Sequence, residues 1–110
     1  MITCKDTVRF SVLRPYIWTI LDKLDWVFTV HKAACVITCG TEAHGPDDPH
    51  TNGFAVDLRS KHLPAEAKPV VLDELRRVLG GIYTVILENE GEDTEHFHIQ
   101  IRKDLWRSLK

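Results

Sequence analysis

The sequence predicts a single α+β domain in which helices pack on a small, mostly antiparallel sheet. Two observations support this fold class. Helix-like and strand-like hydrophobic patterns both occur along the chain, and turns rich in glycine and proline separate them. The chain has 110 residues, which is enough for one modest hydrophobic core and leaves no room for a second domain. We therefore treat residues 1–110 as one domain.

Composition excludes several classes of protein. Hydrophobic residues make up 44% and charged residues 27% of the chain, as in an ordinary soluble globular protein. A formal charge of −2 and the lack of a basic run argue against a nucleic-acid partner. No apolar run is long enough to span a membrane, and the first residues lack the pattern of a signal peptide. We expect a monomer that is synthesised in the cytoplasm and binds neither nucleic acid nor membrane.

The three cysteines, Cys4, Cys35 and Cys39, do not indicate a disulfide framework, because their number is odd and no Cys-x-x-Cys pair occurs. Cys35 and Cys39 are four residues apart on a predicted strand. That spacing places them on one face but too far apart along the strand to form a bridge. We predict reduced, structural thiols, with a redox role or a secondary metal role as the alternative.

The first half of the chain contains three predicted elements. The first residues, as far as Ser11, predict a short edge strand. Pro15 suits the first turn of a helix, and apolar residues then recur at helical spacing as far as Phe28. Residues 34–39 predict a buried strand that ends at Gly40. A loop dense in turn-forming residues then leads to His50.

The second half continues the alternation of strands and helices. Residues 54–59 alternate as a strand should. A helix follows from about residue 63 to Gly80, with Pro69 either at its start or at a bend. Two further strands are predicted over residues 83–88 and 95–102, and a short helix over 104–109.

Two segments carry the residue types of a metal site. The first runs from His50 to Asp57, and the second contains His96 and His98. The pattern consists of a histidine, a carboxylate seven positions later and a distant His-x-His. It can supply two imidazoles and one carboxylate to a single metal, with a fourth position left open. This is the ligand set of a catalytic rather than a structural zinc site. We predict that zinc is bound by His50, Asp57 and His98.

Strand alternation supports this assignment. Asp57 lies on the face opposite the apolar residues of its strand, and His96, His98 and Gln100 share one face of the last strand. His50 precedes Gly53, whose lack of a side chain allows a tight turn back toward Asp57. The two strands would then present their polar faces to one point.

Catalysis by such a site needs further groups. Glu95 is the best candidate for the general base, and Glu92 in the preceding acidic loop is the alternative. His96 is assigned to the oxyanion or the substrate. Arg59 either holds a substrate carboxylate or neutralises Asp57. His44 is a candidate substrate contact or further ligand.

Three segments are similar to the motifs of one known family: Val36-Ile37-Thr38-Cys39-Gly40, His50-x-x-Gly53-x-Ala55-x-Asp57-Leu58-Arg59 and Glu95-x-x-His98. They resemble the zinc D-alanyl-D-alanine carboxypeptidases, which share their fold with murein endopeptidases and the Hedgehog signalling domain. The similarity runs over roughly residues 34 to 102, most of the chain. It implies the zinc triad His50, Asp57 and His98, with Glu95 as the catalytic glutamate.

The resemblance implies a compact, phage-type zinc metallopeptidase that hydrolyses a peptide bond of peptidoglycan. Such a protein would act on the cell wall after release or export. Two alternatives stay open on the sequence. One is a non-catalytic binding module that zinc stabilises, and the other is a metal-free structural component whose histidines are incidental.

Overall fold

The computed structural model describes residues 1–12, 14–42 and 45–109. Eight elements occur in these ranges: β1 (Ile2–Cys4), α1 (Pro15–Val30), β2 (Cys35–Cys39), β3 (Ala55–Arg59), α2 (Ala67–Leu79), β4 (Tyr83–Glu88), β5 (His96–Ile101) and α3 (Lys103–Leu109). The strands form one mixed sheet in the order β1-β2-β3-β5-β4. β1 and β2 are parallel, and the other neighbouring pairs are antiparallel. The predicted α+β class is confirmed.

One face of the sheet and the two long helices form the hydrophobic core. In β3 and β5 every second side chain is buried in it, because successive residues of a strand point to opposite faces. These buried strand residues are Val56, Leu58, Phe97, Ile99 and Ile101. The apolar stripes of α1 and α2 pack against them. The opposite face of β3 and β5 therefore carries the polar residues, which places the candidate site on the side away from these helices.

The N-terminal edge strand is shorter than the predicted segment. The structure places β1 at Ile2–Cys4, at the edge of the sheet, and residues 8–11 form no strand. The Arg9 carbonyl accepts a hydrogen bond from the Thr41 backbone N–H at 2.7 Å. A side-chain Cβ on Gly40 would lie only 2.4 Å from that carbonyl oxygen. The segment thus packs tightly over Gly40, a contact between distant residues that local hydrophobic spacing does not encode.

The remaining elements agree with the sequence prediction within a few residues. α2 begins at Ala67, so that Pro69 lies in its first turn, where a missing backbone N–H leaves no helical hydrogen bond unmade. The short C-terminal helix buries Trp106, whose ring lies 6.1 Å from that of Phe54. Within the described ranges, no helix has the length and apolar character that crossing a membrane requires.

Candidate metal centre

Polar side chains from neighbouring strands form a row across the sheet. Asp57 of β3 pairs with His98 of β5 on one side and with Cys39 of β2 on the other. His96 of β5 pairs with Glu88 at the end of β4. Directly paired residues of antiparallel strands share a face, and their Cβ atoms lie about 4.5–5.5 Å apart. The strand register therefore brings a thiol, two carboxylates and two imidazoles onto one surface.

His50 reaches this row from the loop before β3. Gly53 has φ +76°, the left-handed conformation that favours glycine, and it turns the chain into the strand. The Asp48 carboxylate accepts a hydrogen bond from the His50 backbone N–H at 2.8 Å. The turn buries the His50 ring, which is 4% exposed and lies 5.1 Å from the ring of His98. The predicted meeting of His50, Asp57 and His98 is thus present.

Asp57 is the centre of the cluster. Its Oδ1 lies 3.2 Å from His50 Nε2 and 2.8 Å from His98 Nδ1. Its Oδ2 lies 3.7 Å from His96 Nε2. Two groups of side chains are close enough to hold a metal ion, with all ligand atoms of a group within 4.8 Å of one another: Cys39, His50 and Asp57, and Asp57, His96 and His98. The predicted triad is divided between these groups, and Asp57 belongs to both.

Hydrogen bonds on the outer side of the imidazoles fix which nitrogen faces Asp57. His50 Nδ1 lies 3.0 Å from the Gly40 carbonyl, and His96 Nδ1 lies 2.7 Å from the Thr94 carbonyl. A carbonyl only accepts, so each Nδ1 carries the proton and donates. In the neutral ring the other nitrogen, Nε2, then presents a lone pair toward Asp57.

His98 is held in the same way, but its outer nitrogen is Nε2 and its inner nitrogen is Nδ1. Its Nε2 donates to Gln100 Oε1 at 2.7 Å, and Gln100 Nε2 donates to the Ile101 carbonyl at 3.1 Å, which fixes the direction of the amide. His98 Nδ1 therefore faces Asp57. Three nitrogen lone pairs around one carboxylate repel it unless a proton or a cation lies between them. The arrangement is that of a cation site, because metal-binding histidines characteristically donate their outer N–H to a carbonyl or carboxylate.

The electrostatics of the cluster agree with this view. Burial alone would raise the pKa of Asp57, but the imidazoles of His50 and His98 beside its carboxylate hold it far below its ordinary value. Burial alone would lower the pKa of His98, but Asp57 and Gln100 raise it above the ordinary 6.5. The cluster therefore favours positive charge next to Asp57.

The carboxylate of the predicted base Glu95, just before β5, is bound by groups outside the cluster. It accepts hydrogen bonds from Ser60 Oγ at 2.6 Å and from the Gly91 backbone N–H at 2.9 Å, and pairs with Lys68 Nζ at 2.8 Å. Within the described residues it forms no hydrogen bond or ion pair with Asp57 or His98. Glu95 nevertheless lines the same cavity as Asp57 and His96, so the residue adjoins the cluster while its carboxylate is held by Lys68 of α2.

This network gives Glu95 a role in stability. Burial alone would raise the pKa of Glu95, but the Gly91 N–H, Lys68 and Ser60 lower it from 4.5 to about 2. A carboxyl whose pKa is lower in the folded state stabilises the fold above the unfolded pKa and loses that effect as the pH falls through the folded one. Glu95 therefore stabilises the fold above about pH 4.5, and the effect disappears toward about pH 2.

We expect Glu95→Gln to lower the free energy of unfolding at neutral pH by about 2–3 kcal/mol, because Lys68 loses its charged partner in a buried setting. The variant should also lose less stability than the wild type between about pH 4.5 and about pH 2. Urea unfolding at several pH values measures both effects. Glu92→Gln is the matched control, since Glu92 is exposed in the same loop. Identical pH profiles for Glu95→Gln and the wild type would contradict the assignment.

The other predicted site residues have different positions. Arg59 is exposed and lines a cavity of about 400 Å³ together with Asp57 and His96. The Glu92 side chain is exposed, and within the described residues it forms no hydrogen bond or ion pair with Asp57 or His98. His44 lies outside the described residues. Among the predicted catalytic and substrate residues, Arg59, Glu95 and His96 therefore line the same cavity as Asp57.

Sequence reasoning missed Glu88, whose Oε1 lies 3.5 Å from His98 Nδ1 and 3.6 Å from His96 Nε2. Its position at the end of a predicted strand was a signal, because the last strand carries the histidines and an antiparallel neighbour would place it opposite them. Cys39, for which a metal role was only the alternative, also joins the cluster, and its orientation depends on an irregularity in β2.

The prediction that Cys35 and Cys39 share a face is wrong. The register between β2 and β3 shifts between Ile37 and Cys39, as at a β-bulge. Ile37 pairs with Leu58 on the core side, whereas Cys39 pairs with Asp57 on the polar side. Cys35 is buried in the core. Cys4, Cys35 and Cys39 form no disulfide in the structure.

Comparisons of the chain with protein-family models, curated proteins and solved structures found no match. The relation to the D-alanyl-D-alanine carboxypeptidase fold is therefore still a prediction from the sequence motifs. The structure itself shows a five-stranded α+β domain with side-chain groups that could hold a metal ion.

Proposed function

We propose that this protein is a zinc-dependent peptidase that hydrolyses a peptide bond of peptidoglycan, with zinc held by His50, Asp57 and His98. One observation supports this most strongly. The inner nitrogens of the histidines converge on the Asp57 carboxylate, while each outer nitrogen donates to a fixed oxygen. Two imidazoles and one carboxylate with an open position are typical of catalytic zinc.

Zinc in such a site would lower the pKa of a coordinated water toward about 7 and polarise the substrate carbonyl. The chain must also supply a base. Glu88 is the carboxylate best placed for this role, because its Oε1 lies within 3.6 Å of both His96 and His98 and its side chain is 38% exposed. Glu88 Oε1 would take the proton of the attacking water and pass it to the leaving amine. This assignment replaces Glu95 and Glu92.

The cavity beside Asp57 offers a cation for a substrate carboxylate. Its lining carries three cations, Lys5, Arg59 and Lys61, and three acids, Asp57, Asp93 and Glu95. Arg59 can hold a carboxylate through two parallel hydrogen bonds. Wall peptides carry free carboxylates, and a carboxypeptidase binds one next to the scissile bond. His96, between Arg59 and the ligands, is positioned to contact the substrate carbonyl.

The direct test is mass spectrometry of purified muropeptides and D-alanyl peptides after incubation with zinc-loaded protein. We expect a chelator-sensitive product whose mass identifies the bond. If folded, zinc-loaded protein gives no product, a non-catalytic zinc-stabilised module becomes the better account. If the folded protein binds no zinc, the histidines have a purely structural role.

Zinc affinity should depend on pH through His98. Zinc requires the neutral imidazole, and the pKa of His98 is raised above 6.5, so protons compete with the metal below that raised pKa. Below that raised pKa we expect affinity to fall by about tenfold per pH unit for each proton displaced. Calorimetric titrations in two buffers of different ionisation enthalpy measure the released protons. His62→Gln, at an exposed histidine, should leave the dependence unchanged. A pH-independent affinity would refute the prediction.

A further inference from the structure

Cys39 belongs to the cluster, but the proposed function assigns it no role. Its sulfur lies within 4.8 Å of ligand atoms of both His50 and Asp57. The register shift in β2 turns it from the core side to the Asp57 side. Bulges of this kind redirect single side chains and are frequent next to active sites. Cys39 also lines the cavity that opens onto Asp57 and His96.

We propose that Cys39 is a fourth protein ligand of the metal centre and that its thiolate occupies the position that hydrolysis needs open. This inference rests on the proposed function, since it concerns the same metal. It adds a regulatory property to the site. The protein with an intact Cys39 thiol is held in a closed, low-activity state, and loss of that ligand opens the site.

The chemistry of the side chains supports this role. Thiolate sulfur binds zinc strongly, at about 2.3 Å, and a centre with four protein ligands is of the closed type. On coordination the S–H bond breaks, a sulfur–metal bond forms and the proton leaves to solvent.

The other cysteines cannot take this role. Cys35 is 1% exposed and packs in the core on the opposite face of the sheet. Cys4 is exposed on β1, which is separated from Asp57 by the whole of β2. A thiolate bound to the metal must therefore come from Cys39.

Cobalt(II) titration of the metal-free protein tests the inference by absorption spectroscopy. Cobalt in a zinc site gives visible bands whatever its ligands, and a thiolate ligand adds a charge-transfer band in the near ultraviolet. We expect both features in the wild type at one cobalt per chain. Cys39→Ser should lose the charge-transfer band and keep the visible bands. It should also bind zinc at least about tenfold more weakly.

A second variant keeps the test decisive if Cys39→Ser does not fold. Cys4→Ser combined with Cys35→Ala leaves Cys39 as the single cysteine of the chain, and the charge-transfer band must persist in it. Visible bands without charge transfer in the wild type would overturn the inference and leave the proposed metal site intact. Charge transfer that survives in Cys39→Ser would also overturn it. Absence of every cobalt band would overturn both the inference and the proposed function.

Turnover then tests the regulatory part. With zinc-saturated proteins and a wall peptide that the wild type cleaves, Cys39→Ser should have a higher kcat than the wild type. Cys4→Ser should match the wild type, because it removes an exposed thiol remote from Asp57. If Cys39→Ser loses the charge-transfer band but its kcat is unchanged or lower, Cys39 is a ligand that does not block the open position. That result would contradict the regulatory part of the inference.

Discussion

Asp57→Asn is expected to weaken zinc binding by well over about 100-fold, because outer partners of a metal site already contribute about 10–100-fold and Asp57 is its central ligand. Its carboxylate faces His50 Nε2 at 3.2 Å and His98 Nδ1 at 2.8 Å. Asparagine keeps the shape of the side chain but removes the negative charge that offsets the metal. Competition with a chromophoric chelator measures the affinity.

The matched control is Asp73→Asn, which makes the same change at an exposed position of α2. It should bind zinc as the wild type does. Circular dichroism of both variants establishes that each is folded. If folded Asp57→Asn binds zinc with wild-type affinity, the metal is held elsewhere and the cluster around Asp57 is not its site.

Glu88→Gln is expected to lower kcat by about 10²–10⁴-fold while zinc stays bound, because a positioned general base contributes that factor. The amide cannot accept the proton of the attacking water. Glu88 is 38% exposed, so the substitution leaves no buried group without a partner and the fold should be unaffected. Hydrolysis of a wall peptide by zinc-saturated variants gives the comparison.

Glu95→Gln and Glu92→Gln belong in the same experiment, because the sequence predicted one of these two residues as the general base. Glu95 is held by Ser60, Lys68 and Gly91, so we expect the folded fraction of Glu95→Gln to keep its turnover number. Glu92→Gln should be active and stable. Wild-type kcat in Glu88→Gln together with loss of activity in Glu95→Gln would return the role of the base to Glu95.

The fold was predictable where local pattern determines it. The helical stripe that begins after Pro15 and the alternation in Tyr83–Glu88 gave the correct elements, because burial of one face imposes the 3.6-residue and two-residue periods. The N-terminal strand was not predictable in the same way. Three residues, Ile2–Cys4, pair in parallel with β2, and nothing in so short a segment specifies a partner about 30 residues away in the sequence.

The meeting of His50, Asp57 and His98 was predictable from the sequence, whereas the surroundings of these side chains were not. The positions of His50, Asp57 and His98 follow from strand alternation and one turn. Cys39 depends on a register shift, which moves a side chain to the other face without a sequence signal of its own. Glu95 depends on Lys68, which α2 brings to it through tertiary packing. Spacing along the chain therefore locates side chains within a strand but not the partners that other elements supply.

The most direct test of the metal centre is a crystal structure of the zinc-loaded protein with anomalous scattering data collected at the zinc absorption edge. The account predicts one strong anomalous peak within about 2.0–2.2 Å of His50, Asp57 and His98. A peak bound to other residues, or no peak at Asp57 in protein shown to contain zinc, would contradict it.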